Sequence, residues 1–129
     1  MDDQFPVIVV STKDSYNGKI FSLFHELLHL VFKTGGIFRS FNLSSFSPDS
    51  RKIEILCNRI TGIFLVPQKY LLKEPIIIKK KSKKDWTEPD LEDLSHKYKV
   101  SKEVILRRLL DLKLTNQNTT INLKIIGLQ

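Results

Sequence analysis

Residues 24–30 read FHELLHL: two histidines four positions apart, a glutamate directly after the first, and apolar residues everywhere else. On a helix, positions i and i+4 project side by side, so His25 and His29 can offer two neutral imidazoles to one zinc at about 2.0–2.1 Å. Glu26 sits one step around the helix, too oblique to ligate easily but placed to take a proton from a water at such a centre. Burying an imidazole or a carboxylate without a partner is costly, so the three groups must face a cleft, a polar network or an ion. A pair of core histidines bonded to backbone or carboxylate would also meet that cost. An H-E-x-x-H pattern, however, arises by chance in well under ~1% of chains this short, and the spacing predicts a zinc site.

A catalytic zinc takes three protein ligands and keeps a fourth position open. In RKIEILCNRITGIFLV, residues 51–66, Glu54 and Asn58 fall one turn apart on one face of a predicted helix, with Thr61 beside them. Cys57, Thr61 and Gly62 are small enough to let that helix approach another. Glu54 is the candidate third ligand, and Asn58 is a candidate to orient a zinc-bound histidine. An acid near a helix N-terminus also has an ordinary electrostatic reason to be there. Cys57 is a possible ligand as well, but reads first as a packing residue, since free cysteine is among the most buried side chains.

These residues need elements to hold them. FPVIVVS, residues 5–11, is rich in β-branched residues and predicts a buried strand, after which DSYNG makes a turn. From Lys19 to Lys33 the chain lacks proline and glycine and predicts a buried helix, polar only along the stripe of Ser22, His25, Glu26, His29 and Lys33, with Gly35 and Gly36 as its stop. IFRSFNL, residues 37–43, predicts a second strand. Ser47, Pro48 and Asp49 form a helix start for a segment running to about Val66. Pro67 opens the short helix QKYLLK, which Pro75 ends. Thr87 or Asp90 caps LEDLSHKYK, Ser101 caps KEVILRRLLDLK, and TTINLKII, residues 119–126, predicts a closing strand.

The order of elements predicts one mixed α+β domain over 1–129. Residues 1–75 form its zinc-site core, a short sheet packed on the histidine helix; 76–89 form a basic loop, and 90–129 a helical pair with the closing strand. At 129 residues, 41% hydrophobic and 27% charged, the chain is composed like an ordinary globular protein. Cys57 is the only cysteine, so an internal disulfide is excluded, which suits a reducing compartment. The acidic N-terminus has too short an apolar run for a signal peptide, and no stretch approaches 18 apolar residues. A cytoplasmic protein without a membrane span is expected. Of the net charge of +7, five positive charges come from Lys79, Lys80, Lys81, Lys83 and Lys84, a run that reads first as a solvated loop and second as a contact for nucleic acid or an acidic partner.

FSLFHELLHLVF followed by IEILCNRITGIFLVP resembles the ImmA/IrrE family of zinc metalloendopeptidases, whose pattern is a strand, an H-E-x-G-H helix and an E-x-x-A-N helix ending in a proline. LEDLSHKYKVSKEVILRRLLDLKL resembles the helical pair downstream, so the likeness spans about Phe5 to Leu114. The resemblance implies a small zincin-like domain in which His25, His29 and Glu54 are the zinc ligands and Glu26 the catalytic glutamate. It also implies the substrate class, helix-turn-helix repressors, whose cleavage releases genes of mobile elements or stress responses. Leu28 stands where the family usually has glycine and Phe24 where it often has alanine. The chain begins almost at the strand before the motif helix, as a truncated or a minimal member of the family would.

An oxyanion donor is also expected, with Tyr70, Tyr98, His96, Arg39 and Arg59 as candidates. The competing function is DNA binding, in which residues 90–112 act as a helix-turn-helix with Lys102, Arg107 and Arg108 on phosphates. Against it stands a plain helical hairpin packed by Leu91, Leu94, Tyr98, Val104, Ile105 and Leu109. A third possibility is a non-catalytic zinc protein that sequesters a partner.

Overall fold

The computed structural model describes residues 7–34, 50–80 and 85–118. The chain divides into two compact units, Met1–Thr61 and Gly62–Gln129.

In the first unit, α1 spans Tyr16–Thr34. It starts three residues before the expected Lys19 because Ser15 caps it: the Ser15 hydroxyl accepts from the Gly18 N–H at 3.1 Å and its carbonyl from the Lys19 N–H at 2.9 Å. A Cβ on Gly18 would lie 3.1 Å from that hydroxyl, so glycine here lets the cap close without displacement. The second helix, α2, spans Ser50–Leu65 and ends ahead of Pro67, as expected within a residue. Its expected start at Ser47 to Asp49 lies outside the described residues. Thr61 donates its hydroxyl to the Cys57 carbonyl one turn back at 2.7 Å, which lets a polar side chain lie fully buried in the helix.

The expected α+β class does not hold. The described residues are helical, with no strand or sheet among them. Val7 to Ser11, the described part of the first expected strand, form no ladder, and Val7 and Val9 are largely exposed. β-Branched residues favour a pleated, half-buried surface only where a neighbouring strand supplies one. The other two expected strands, residues 37–43 and 119–126, lie outside the described residues. With no strand among the described residues to cover it, α1 is not the buried helix expected: Leu23, Phe24, Leu27 and Val31 are 36–46% exposed. By helical geometry these four lie on the side of α1 turned away from His25 and His29.

In the second unit, Pro67 with φ −63° leads into α3, Gln68–Leu71. Pro75, expected only to stop that helix, also opens the next one, α4, Pro75–Lys80. A proline lacks only an N–H that a first helical turn leaves unpaired. Residues 76–80 are therefore helical rather than part of a loop. The helical pair follows as α5, Glu88–Tyr98, and α6, Lys102–Asp111. The Asp90 carboxylate accepts from both the N–H (3.0 Å) and the hydroxyl (2.7 Å) of Thr87, so both residues expected at this cap take part. Ser101 caps α6 by accepting from the Val104 N–H at 3.3 Å. Lys99 closes α5 with φ 56°, a left-handed turn that brings the Val100 N–H to the Ser95 carbonyl.

Leu91 and Leu94 of α5 pack with Ile105 and Leu109 of α6, and Tyr98 and Val104 flank them, the hairpin packing read from the sequence. Trp86 seals this core and donates its indole N–H to the Leu114 carbonyl at 2.9 Å. Arg108 is buried too. Its Nε donates to the Val66 carbonyl at 3.0 Å, and its stem passes Gly62, where a Cβ would meet the Arg108 Cδ at 3.6 Å. No described helix is long and apolar enough to cross a membrane.

Candidate metal centre

One turn of α1 separates His25 from His29 and sets their ring centroids 4.7 Å apart. The two Nε2 atoms face one another at 3.0 Å. Glu54, from the second turn of α2, reaches both: Oε2 is 3.0 Å from the His25 Nε2 and Oε1 is 2.7 Å from the His29 Nε2. Two imidazole nitrogens and a carboxylate thus aim electron pairs at one point, an arrangement that requires a proton or a metal cation between them. Ligands held at about 2.0–2.1 Å in a tetrahedral set stand about 3.3 Å apart. The observed separations fall short of that by a few tenths of an ångström, so the three residues fit a metal ion with a small outward adjustment. They form the cluster of metal-ligating side chains found among the described residues.

The surroundings are uneven. The His25 side chain is 12% exposed, that of His29 29% and that of Glu54 52%, so the cluster is backed by protein at His25 and opens to solvent at Glu54. Phe21, one turn before His25, stacks on its ring with centroids 6.3 Å apart and planes 25° apart. The sequence reading missed this contact, although an aromatic residue four positions before a histidine on one helix was the available signal. The His25 Nδ1 is buried and has no hydrogen-bond partner among the described residues.

Glu26 is exposed and outside the ligand cluster. Burial, and after it the Glu54 and Glu26 carboxylates, push the Cys57 thiol up; the side chain is fully buried and lies outside the metal-ligating cluster, so Cys57 packs the helix. Asn58 is half-buried one turn after Glu54 but bonds to neither histidine. Tyr70, His96 and Tyr98 belong to the second unit, where Tyr98 donates to Glu74 at 2.8 Å and His96 faces Glu92 at 4.0 Å. Arg59 is exposed on α2, and Arg39 lies outside the described residues. Of the three side chains offered to DNA phosphates, Arg108 is buried, Lys102 pairs with Glu88 at 3.0 Å, and Arg107 lies 3.5 Å from Glu103.

An H-E-x-x-H helix whose histidines meet a glutamate from a second helix defines a candidate metallopeptidase centre. The sequence model of the peptidase family described as the IrrE N-terminal-like domain matches residues 1–110, and the chain belongs to that family. Neither the curated proteins nor the solved structures contain a match to it.

Proposed function

We propose that this protein is a zinc-dependent endopeptidase whose substrate is a helix-turn-helix repressor, and that it acts in the cytoplasm to release genes of a mobile element or a stress response. The convergence of His25, His29 and Glu54 on one point carries the metal part of this reading. Family membership supports the peptidase part, and the ImmA/IrrE resemblance supports the substrate. His25 Nε2, His29 Nε2 and a Glu54 carboxylate oxygen would hold the ion. Zinc, when bound, supplies Lewis-acid polarisation and makes water easier to deprotonate.

The chain's own residues do the rest. Glu26 adjoins His25 and is exposed, so its carboxylate accepts a proton from the attacking water as the water oxygen bonds to the peptide carbonyl carbon. The same carboxyl then delivers that proton to the amide nitrogen as the C–N bond breaks. Phe21 fixes the plane of His25.

The test is Glu26→Gln, which keeps the shape and hydrogen-bonding reach of the side chain but cannot serve as a base. Incubated with the repressor encoded nearest to its gene, the parent protein with zinc should cut the repressor. The variant should bind zinc at full stoichiometry and leave the repressor intact. Cleavage by the variant at the parental rate would remove Glu26 from the chemistry, and loss of zinc would make it a ligand.

A further inference from the structure

The net charge of the chain is carried almost entirely by one unit. Residues 62–129 contain fourteen lysines and arginines against eight acids, whereas residues 1–61 contain seven against six. Within the second unit three of these acids are paired locally. Glu74, the only acid between Gly62 and Lys84, is buried and takes both Lys97 at 2.8 Å and the Tyr98 hydroxyl. Asp90 is held by Lys80 and Thr87. Glu88 is held by Lys102.

The exposed side chains from Ile63 to Lys79 are consequently of two chemical kinds, apart from one amide, Gln68. Phe64, Tyr70 and Ile78 are 58–65% exposed. Lys69, Lys73 and Lys79 are exposed among them and make no ion pair with a described residue; Lys69 instead sits 6.0 Å over the Tyr70 ring. Over residues 63–79, large apolar side chains interleaved with cations unpaired among the described residues, and with no exposed acid in that stretch, are complementary to apolar groups flanked by carboxylates. A second copy of the chain would bring the same positive charge to it. Duplex DNA would satisfy the lysines but leave Phe64, Tyr70 and Ile78 against a phosphate backbone that offers no apolar surface.

We propose that α3 and α4, with the end of α2, form a docking surface for an acidic protein segment that presents apolar side chains, anchored by Tyr70 and Ile78 and steered by Lys69, Lys73 and Lys79. Docking here requires no peptide cleavage and stands whether or not the metal centre is active. The aromatic and aliphatic anchors supply affinity through burial, and the lysines supply orientation and rate of encounter.

The probe is a fluorescent 20-residue amphipathic peptide, leucine on one face and glutamate on the other, measured by anisotropy against the full-length protein with a chelator present to prevent cleavage. The same peptide with lysine for glutamate and a 20-base-pair duplex are the comparison probes. The acidic peptide should bind and the lysine peptide should not. Tyr70→Ala with Ile78→Ser should weaken binding about tenfold or more, and Lys69→Gln with Lys73→Gln by about tenfold. Lys99→Asn with Lys113→Asn removes the same charge from the same unit at left-handed positions that asparagine tolerates, and should change binding less than about twofold. Circular dichroism checks that each variant stays helical. Equal loss from both lysine pairs would reduce the effect to general attraction and overturn the assignment. So would indifference to the Tyr70 and Ile78 changes, or tighter binding of the duplex than of the acidic peptide.

Discussion

Replacing Glu54 with glutamine separates the two roles its carboxylate could have. If Glu54 served only as a structural partner for the histidines, its loss would lower stability whether or not metal were present. Its side chain is 52% exposed, however, and exposed ion pairs contribute about 0–1 kcal/mol because water screens them. For a chain of this length that is at most about 4 °C in melting temperature. A ligand role predicts a larger, conditional effect. Changes one shell out from a metal cost about 10–100-fold in affinity, so removing an anionic ligand should cost at least about 100-fold, or about 2.7 kcal/mol. At a zinc concentration of 1,000 times the parental Kd, zinc stabilises the parent by about 4.1 kcal/mol and the variant, now at ten times its own Kd, by about 1.4 kcal/mol. The zinc-induced rise in melting temperature should therefore be about 15 °C in the parent and about 5 °C in Glu54→Gln. Differential scanning fluorimetry across a zinc titration, with a chelated baseline, reads both numbers. Equal zinc-induced shifts would take Glu54 out of the ligand set, and a metal-free drop as large as the zinc-loaded one would make its role structural.

Two further outcomes concern the second unit. Burial raises the Glu74 carboxyl, but hydrogen bonds from Lys97 and Tyr98 outweigh that and hold it below the usual carboxylate range. Its contribution is thus fully present above the unfolded carboxyl value of about 4.3 and is lost as pH falls through the lower folded value. Glu74→Ala should cost about 2–3 kcal/mol at pH 7 in urea unfolding, less than a fully buried pair because Lys97 is 61% exposed, and the gap to the parent should narrow in acid below that window; a pH-independent gap would refute the assignment. Arg108→Met keeps the stem beside Gly62 but strips the donor from the Val66 carbonyl, and should cost about 1–3 kcal/mol by the same measurement while leaving any retention on immobilised duplex DNA unchanged.

The sequence disclosed the parts of this protein that are set within one turn of helix. His25 and His29 are legible because i, i+4 spacing fixes their geometry without help from the rest of the chain. The caps at Thr87, Asp90 and Ser101 are legible for the same reason. Glu54 lies 29 positions from His25, and its residue type and helical phase made it a candidate while leaving Cys57 open. Only the three-atom convergence and the burial of the thiol decide between them. The described part of the strand expected over residues 5–11 pairs with nothing described because β pairing is a relation between segments, which a local run of valine and isoleucine does not specify. The Glu74 clasp and the buried Arg108 were missed because each joins residues more than 20 positions apart, and a charged residue in sequence carries no mark of whether a distant partner will bury it.

The uncovered side of α1 governs how this protein behaves as a colloid. Leu23, Phe24, Leu27 and Val31 offer neighbouring molecules a short-range attraction that added salt does not weaken. What keeps molecules apart is the net charge of +7, whose reach contracts from about 30 Å at 0.01 M salt to about 8 Å at 0.15 M and about 3 Å at 1 M. The protein is therefore most dispersed in dilute buffer and clusters as ionic strength rises, the reverse of a molecule held in aggregates by its charges.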